Sequence, residues 1–361
     1  MIIKEPFGTL PDNTPVTAYT LSNSSILRAR IIDLSLVMLT VAGLNRASLS
    51  VMYMLCAEAD VICGFDDVNG YLNAKGYQGA IIGRVCNRIS KSKFTLDGVE
   101  YSLFANDGKN SAHGGEIGFN KRMWDVKVSD NVDEPSLELT YTSPDMEENF
   151  PGTLRVKVVY TLKREGALSI HYIADTDKNT IVNLTNHAYF NLAGYDKGTI
   201  CDQVMWIDAD RINDQDFELI PTGELVDVEN TPYDFRVEKP IGRDFDSEPS
   251  MDRQGGGYDN NYIINGADSV TVKKCASLYD KDSGRFMEVY TNQPCVQIYT
   301  SNMIDSEDLP FKNGVAQCKN CAVCFETQKM PDSINHTGFT DTVLKPGDVY
   351  DFTTVYAFSN K

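Results

Sequence analysis

Apolar and polar residues alternate with a period of two along much of the chain. Leu137, Leu139 and Tyr141 alternate with Glu138 and Thr140. The same alternation recurs over residues 154–160, 168–172 and 350–356. A period of two sends successive side chains to opposite faces of a strand, with the apolar residues toward a core and the polar ones toward solvent. These segments are therefore predicted to be half-buried β-strands.

Turn-forming residue pairs separate the predicted strands. They include Asp97-Gly98, Pro151-Gly152, Glu165-Gly166 and Pro346-Gly347. Long amphipathic helical stretches are scarce, and the chain has no Pro/Ser-rich linker and no repeat of fixed period. Many short strands with regular turns favour antiparallel sheets that stack as a sandwich. We therefore expect an all-β protein, a large antiparallel β-sandwich that forms a single domain over residues 1–361.

The most apolar region of the chain extends over residues 34–57. One interpretation of such a region is a membrane span. Ser35, Asn45 and Arg46 interrupt it, so its longest clean stretch falls short of the roughly 18–20 residues that a span requires. Buried strands are therefore the preferred interpretation of this region.

The charge balance limits the classes of partner that the protein could bind. The 361 residues include 33 Lys plus Arg and 51 Asp plus Glu, which gives a net charge of −18. A surface that negative repels phosphate backbones and anionic lipids. We therefore expect no binding to nucleic acid or to a membrane, and a neutral small substrate fits better than a polyanion.

The cysteines bear on the cellular compartment and on metal binding. Nine irregularly spaced cysteines, without an N-terminal basic region followed by an apolar stretch, favour reduced thiols in a cytoplasmic protein. Cys318, Cys321 and Cys324 repeat at an interval that occurs in cluster-binding proteins, but a fourth ligand at a suitable interval is missing. We therefore expect no metal.

The densest group of chemistry-bearing residues lies at Asn183–Leu192, which reads Asn-Leu-Thr-Asn-His-Ala-Tyr-Phe-Asn-Leu. It surrounds His187, one of only four histidines, with three amides, a hydroxyl and two aromatic rings. A histidine with such neighbours can hold one defined tautomer, as acid–base chemistry requires. A satisfied core histidine is the alternative, and the commoner, interpretation.

Glu326 is the carboxylate that is hardest to explain without a function. It directly follows Phe325 in an apolar stretch, and burying an unpaired charge is costly. Further candidates are Asn87, Arg88, His113, Asp259 and Gln297. For several of these a turn, or a solvated arginine at a strand end, is the alternative.

Motifs of zinc hydrolases, phosphate-binding loops, dinucleotide folds and nucleophile elbows are absent. The remaining acid–base set suits reversible proton transfer on a polyhydroxy substrate.

Taken in chain order, these motifs resemble those of the aldose 1-epimerase (galactose mutarotase) family over about Gly64 to Phe358. The matching landmarks are Gly64-Phe65-Asp66-Asp67, Gly83-Arg84 with Asn87-Arg88-Ile89, His113-Gly114-Gly115, Phe150-Pro151-Gly152, Asn183–Leu192, Tyr258-Asp259, Gln297-Ile298-Tyr299 and Glu326-Thr327-Gln328. Each short piece is weak alone, whereas the ordered series with its ten-residue signature is specific. The resemblance implies a galactose mutarotase-like supersandwich, with the site in a cleft across one sheet and no cofactor.

The resemblance also implies roles for individual residues. Glu326 is expected to be the general base at the anomeric hydroxyl, His187 the general acid at the ring oxygen, and His113 a second histidine near that oxygen. The expected sugar-binding residues are Asn87, Arg88, Tyr189, Asp259 and Gln297.

The activity that this set implies is interconversion of the α and β anomers of free aldoses such as galactose and glucose. The partner would be a free monosaccharide, and the protein a monomer or homodimer. The alternatives are an epimerase-like relative that acts on another sugar, and a non-catalytic sugar-binding or regulatory module of the same fold.

Overall fold

The computed structural model of the chain describes residues 1–25, 27–34, 38–42, 59–247 and 255–361. Among these residues the largest sheet has nine antiparallel strands, numbered along the chain. In spatial order they are β10 (Asp125–Ser129), β11 (Ser136–Ser143), β12 (Leu154–Lys163), β13 (Ala167–Thr176), β27 (Tyr350–Asn360), β23 (Arg285–Thr291), β22 (Lys273–Tyr279), β17 (Val204–Ile207) and β20 (Lys239–Pro240). The four segments predicted to be half-buried strands all lie in this sheet, at β11, β12, β13 and β27, so that prediction is confirmed.

A second antiparallel sheet of six strands packs against the first. Its strands are β16 (Tyr189–Phe190), β25 (Val323–Gln328), β24 (Cys295–Tyr299), β21 (Asp259–Ile264), β18 (Ala209–Gln215) and β19 (Pro221–Asp227). The hydroxyls of Thr327 and Thr354 bond between the sheets, and the Tyr356 hydroxyl donates to the Phe325 carbonyl at 3.0 Å. Because side chains alternate along β25, Glu326 lies on the opposite face, away from the large sheet.

The remaining described elements are short. A four-stranded N-terminal sheet contains β1 (Ile2–Thr9), β2 (Pro15–Ser22), β3 (Arg28–Ile32) and β4 (Met38–Ala42). The two-stranded pairs are β5 (Ile81–Ile82) with β15 (Thr185–Asn186), β6 (Arg88–Ile89) with β9 (Ser111–Ala112), β7 (Lys93–Leu96) with β8 (Val99–Ser102), and β14 (Thr180–Ile181) with β26 (Val343–Leu344).

Helical structure is limited to single turns in the described part of the chain. The helix α1 (Val68–Asn73) begins where the Asp67 side chain accepts a hydrogen bond from the Gly70 amide at 2.8 Å. The 3₁₀ turns are Ser90–Ser92, Phe119–Lys121, Glu147–Asn149, Ile241–Asp244, Lys312–Gly314 and Ser333–Asn335. The expected all-β class is confirmed.

The apolar segment 34–57 is described only in part. Leu34 forms a β-bridge with Met123, and the strand β4 places Met38 and Val41 in the core. The prediction of buried strands is confirmed for β4, whereas residues 35–37 and 43–58 lie outside the described residues. Over the described ranges, none of the helices is long and apolar enough for a membrane crossing.

Candidate active site

A cavity of about 550 Å³ lies over the polar face of the six-stranded sheet. This volume falls within the range of about 300–1,000 Å³ that is typical of small-molecule sites. All eight site residues expected from the sequence line the cavity: Asn87, Arg88, His113, His187, Tyr189, Asp259, Gln297 and Glu326. Four of them come from strands of the six-stranded sheet: Tyr189 from β16, Glu326 from β25, Gln297 from β24 and Asp259 from β21. The other four come from segments beside the sheet. The fold therefore brings the whole predicted set together.

The strand register places three polar side chains side by side on the cavity floor. Gln297 on β24 pairs directly with Glu326 on β25, and β24 also pairs with β21, which begins at Asp259. The Gln297 Nε2 group donates to Asp259 Oδ1 at 2.6 Å. The Gln297 Oε1 atom is buried and has no hydrogen-bond partner among the described residues, which leaves an acceptor for a ligand.

His187 is held through both sides of its backbone. Its amide donates to the Ala80 carbonyl at 2.9 Å, and its carbonyl accepts from the Gly79 amide at 2.8 Å. The imidazole stacks on the Tyr189 ring, with centroids 5.1 Å apart and an interplanar angle of 15°. The imidazole Nε2 then lies 3.6 Å from Glu326 Oε1. The acid and the base expected from the sequence are therefore neighbours in space.

The environment of His187 and Glu326 opposes charge on both groups. Burial lowers the pKa of His187 to about 3. Burial also raises the pKa of Glu326 well above its ordinary value, with a further upward contribution from Asp259 and an opposing one from Arg88. Both shifts therefore favour the uncharged form, a protonated carboxyl at Glu326 and a neutral imidazole at His187. The atoms His187 Nδ1 and Glu326 Oε2 are buried without a hydrogen-bond partner among the described residues, as expected for groups that await a ligand.

His113 lies beside His187, with ring centroids 5.3 Å apart. The Asn87 amide donates to His113 Nδ1 at 3.4 Å, so the neutral ring carries its proton on Nε2. Burial, followed by the neighbouring His187 and Arg88, lowers the pKa of His113 well below its ordinary value. At neutral pH His113 is therefore an uncharged hydrogen-bond donor.

A glycine must follow His113 for a steric reason. His113 adopts φ of +51° and Gly114 φ of +93°. A Cβ atom on Gly114 would lie 1.9 Å from the Gly83 carbonyl oxygen, so a side chain is excluded there. The close approach of the two loops places His113 at the cavity.

Arg88 brings a positive charge to the cavity wall. Its Nε donates to Asp107 Oδ2 at 2.8 Å, and its Nη1 lies 3.8 Å from Asp259 Oδ2. Burial opposes the charge, but Asp259 and Asp107 together raise the Arg88 pKa, so Arg88 stays protonated. Burial raises the pKa of Asp259, while Arg88 and the bond from Gln297 oppose that shift. This side of the cavity is a connected network of donors and acceptors.

A solvated arginine is the alternative interpretation of the segment Gly83–Ile89, and Arg84 of this segment does not fit it. Arg84 is buried, and burial lowers its pKa to about 10. Its guanidinium donates to the carbonyls of Pro151 at 3.0 Å, Ser143 at 3.0 Å and Pro144 at 2.7 Å. Arg84 therefore ties loops together, although it lies only four positions from Arg88.

The amides of the ten-residue signature also serve the scaffold. The Asn183 side chain exchanges two hydrogen bonds with the Lys329 backbone, at 2.9 and 3.1 Å. Asn186 Nδ2 donates to the Gly79 carbonyl at 2.9 Å, and Asn191 Nδ2 donates to the Cys321 carbonyl at 3.0 Å. These amides fix the segment around His187 and leave the histidine to face the cavity.

Sequence reasoning missed several lining residues, among them Tyr77, Asp107 and Tyr299. Asp107 lies in a turn that the sequence does mark, Asn106-Asp107-Gly108, but nothing in the sequence connects that turn to Arg88. Across the described ranges, no group of three or more His, Cys, Asp or Glu side chains has a geometry that would hold a metal ion.

A β-sandwich whose polar sheet face carries a carboxyl–imidazole pair beside a hydrogen-bonding network has the groups that acid–base chemistry on a polyhydroxy ligand requires. The sequence profile described as aldose 1-epimerase matches residues 53–357. The chain is 44% identical to the galactose mutarotase of Bos taurus over 301 residues, which cover 83% of this chain and 84% of the relative. It is 39% identical to the galactose mutarotase of Homo sapiens over 358 residues, covering 99% and 98% of the two chains.

Solved structures agree with the sequence matches. A GalM/aldose epimerase homologue from C. elegans superposes with a TM-score of 0.83 at 26% identity, covering 94% of this chain and 98% of the other. Galactose 1-epimerase from Lactobacillus acidophilus has the same fold, with a TM-score of 0.84 at 24% identity and coverage of 100% and 99%. The chain belongs to the aldose 1-epimerase family. The expected family, isomerase class and galactose mutarotase-like fold are confirmed.

Proposed function

We propose that this cavity interconverts the α and β anomers of a free aldose such as galactose or glucose, with Glu326 as general base and His187 as general acid. One observation carries the assignment of roles. The two groups lie 3.6 Å apart on the cavity wall, and each has a buried polar atom without a hydrogen-bond partner among the described residues. Acid and base must be this close, because the two oxygens that exchange protons are bonded to the same carbon.

The reaction follows from a single proton shared by the pair. In the reactive form of the pair this proton has moved from Glu326, where burial favours it, to His187, and the Glu326 carboxylate accepts the proton of the anomeric hydroxyl O1. The bond between C1 and the ring oxygen O5 breaks, and the imidazolium protonates O5. The open-chain aldehyde then rotates about C1–C2, and the reverse transfers close the ring on the other face. Positioned groups of this kind contribute on the order of 10²–10⁴-fold each.

The neighbouring residues supply binding and orientation. His113 offers an uncharged N–H near the ring oxygen. Arg88, Asp259, Gln297 and Asn87 present donors and acceptors to the sugar hydroxyls. The hydroxyl of Tyr189 already donates to the Gly76 carbonyl at 2.7 Å, so we assign to Tyr189 mainly the ring that supports His187.

The substrate that we propose is a neutral monosaccharide without a phosphate group. The chain carries a net charge of −18, and the acidic residues Asp305, Glu307 and Asp308 add negative charge along the cavity lining. A phosphorylated sugar would be repelled there. The assembly that we propose is a monomer or a homodimer of single-domain subunits, and the eight described free cysteines suit the cytoplasm.

The test is the optical rotation of freshly dissolved α-D-galactose and α-D-glucose in the presence of the purified protein. We expect the wild type to speed the approach to anomeric equilibrium, and Glu326→Gln to lose most of that effect while sugar binding stays detectable by calorimetry. Glu288→Gln is a matched control, because Glu288 lies on β23 and does not line the cavity. Binding without acceleration by the wild type would instead indicate a sugar-binding module.

A further inference from the structure

Tyr77 lies beside both cavity histidines, and none of the motifs assigns it a role. We propose that the Tyr77 ring is a positioning residue for the reaction: it fixes the relative orientation of the His187 and His113 imidazoles and shields His187 from water. This inference rests on the proposed function of the cavity, and the experiment below separates its failure from a failure of that function.

The ring geometry supports this role. The Tyr77 centroid lies 4.6 Å from that of His113, at an interplanar angle of 48°. It lies 6.1 Å from that of His187, at an angle of 22°. With Tyr189 at 15° to the same imidazole, two phenol rings flank His187 at small interplanar angles. Aromatic groups at such separations attract one another beyond the effect of burial.

The backbone of Tyr77 is bonded to the turn that holds His187. Tyr77 adopts φ of +58°, an unfavourable region for a bulky side chain that persists only where the surroundings enforce it. Its carbonyl accepts from the Ala80 amide at 3.0 Å. The same turn then bonds to His187 on both sides, through the Gly79 amide at 2.8 Å and the Ala80 carbonyl at 2.9 Å. The strained turn therefore connects the position of the Tyr77 ring directly to the His187 backbone.

The other end of Tyr77 connects to the loop that carries His113. The Asn106 side chain lies close enough to the Tyr77 hydroxyl to oppose the rise in pKa that burial causes there. Asn106 Nδ2 in turn donates to the carbonyls of Ala112 at 2.9 Å and Gly115 at 2.8 Å, and its Oδ1 accepts from the Ala112 amide at 2.7 Å. Tyr77 thus bridges the segments on either side of the two histidines.

Removing the ring should change the chemistry more than the binding. Burial is the main reason that the pKa of His187 is low. If water entered in place of the Tyr77 ring, the pKa of His187 would rise. The imidazole would also lose one of its two stacking partners and could rotate away from Glu326. The groups that we assign to sugar binding are mainly Arg88, Asp259 and Gln297. Asp259 links them, because Gln297 Nε2 donates to Asp259 Oδ1 at 2.6 Å and Arg88 Nη1 lies 3.8 Å from Asp259 Oδ2.

The experiment compares Tyr77→Leu, which removes the ring, with Tyr77→Phe, which keeps it. For Tyr77→Leu we expect kcat for galactose to fall roughly 10- to 100-fold, with KM within about threefold of the wild type. The acid limb of its kcat–pH profile should move to higher pH by about one unit. Tyr77→Phe should keep kcat within about threefold, because the ring remains.

A matched control is Tyr101→Leu. Tyr101 is partly buried and stacks on Phe94 at 5.2 Å and 18°, but it does not line the cavity. This control should leave kcat and the pH profile unchanged. If Tyr77→Leu does not fold, as judged by circular dichroism, Tyr77→Met tests the same loss of the ring with similar volume.

Three results would overturn the inference. The first is a folded ring-less variant with unchanged kcat and pH profile. The second is a rise in KM at constant kcat, which would make Tyr77 a sugar contact. The third is an equal loss of kcat in Tyr77→Phe, which would assign the effect to the hydroxyl. An inactive wild type would overturn the proposed function instead, whereas an active wild type with an inactive Glu326→Gln leaves that function standing.

Discussion

The two halves of the cavity differ in how their polar groups are satisfied. In the half that we propose transfers protons, formed by His187, Glu326 and His113, burial moves every pKa toward the uncharged form, and polar atoms of His187 and Glu326 lack partners among the described residues. In the half that we propose binds the sugar, formed by Arg88, Asp107, Asp259 and Gln297, each side chain lies within hydrogen-bond or ion-pair distance of another, and the buried Gln297 Oε1 atom lacks a partner among the described residues.

This difference separates two physical requirements of the site. Groups that exchange a proton must change charge during the reaction, so they are kept close to neutrality and incompletely bonded. Groups that bind hydroxyls must keep their orientation, so they are bonded to one another before the sugar arrives. Replacements in the first half should therefore change kcat, and replacements in the second half should change KM.

The largest effect should come from His187→Asn. We expect kcat for galactose to fall by about 10²–10⁴-fold, with KM within about threefold, because the acid is lost while the binding half remains intact. Coupled oxidation of the product anomer at saturating sugar would measure both constants. Near wild-type turnover in this variant would show that another group supplies the proton to the ring oxygen.

Arg88→Ala should have the next largest effect, and mainly on KM. Hydrogen bonds to a charged group contribute about 1.5–3 kcal/mol, so we expect an increase in KM of roughly 10- to 150-fold with a smaller change in kcat. Calorimetric titration with galactose would check that the loss is one of binding.

Arg84→Met is the matched comparison for Arg88→Ala. This substitution leaves the carbonyls of Pro151, Ser143 and Pro144 without the hydrogen bonds that they accept from the guanidinium. We expect the free energy of unfolding to fall by about 2–4 kcal/mol, with KM of the folded fraction unchanged. Urea unfolding followed by fluorescence would measure the loss. A variant as stable as the wild type would contradict the scaffold role of Arg84.

Glu326→Gln should change the free energy of unfolding by a smaller amount, and the size of the change should depend on pH. Burial raises the Glu326 pKa above its ordinary value of 4.5, so the folded state holds a proton that the unfolded state releases. This stabilising contribution is complete below about pH 4.5 and is lost as pH rises through the folded-state pKa. At pH 8 we therefore expect Glu326→Gln to be more stable than the wild type by about 0.5–2 kcal/mol, with a smaller difference at pH 5.

Urea unfolding of both proteins at the two pH values measures this difference, with Glu288→Gln as the control for a carboxylate outside the cavity. A difference that stayed constant or grew toward pH 5 would contradict the raised pKa.

The smallest effect should come from Tyr189→Phe. It removes the hydrogen bond to the Gly76 carbonyl but keeps the ring that stacks on His187. We expect kcat within about threefold and a loss of stability of about 1 kcal/mol. A tenfold loss of kcat would mean that the Tyr189 hydroxyl takes part in the chemistry and belongs to the proton-transfer half.

Much of the site was predictable because its signals are local in the sequence. The strands β11, β12, β13 and β27 alternate clearly, since one face of each is buried and the other is not. His187 lies in a signature whose asparagine side chains hold that same segment in place. The motif that is visible in the sequence and the hydrogen bonds that explain it therefore belong to one short segment. Glu326 was identified because a carboxylate next to a buried phenylalanine requires a reason.

The sequence could not assign roles that depend on contacts between distant segments. Arg84 and Arg88 belong to one motif, yet they have different partners. The Arg84 guanidinium donates to the carbonyl of Pro151, whereas Arg88 pairs with Asp107 and Asp259. Tyr77 carries no motif because its role arises from where its ring falls against His113 and His187.

The sequence by itself therefore determined the all-β class and the family, and it predicted the reacting groups, since these depend on periodicity and on short motifs. Only the tertiary structure decided which arginine faces the cavity, which amides belong to the scaffold and which tyrosine lies beside the histidines. It also decided the charge state of the acid–base pair. Desolvation depends on everything that surrounds a group, and that environment exists only once the sheets have packed.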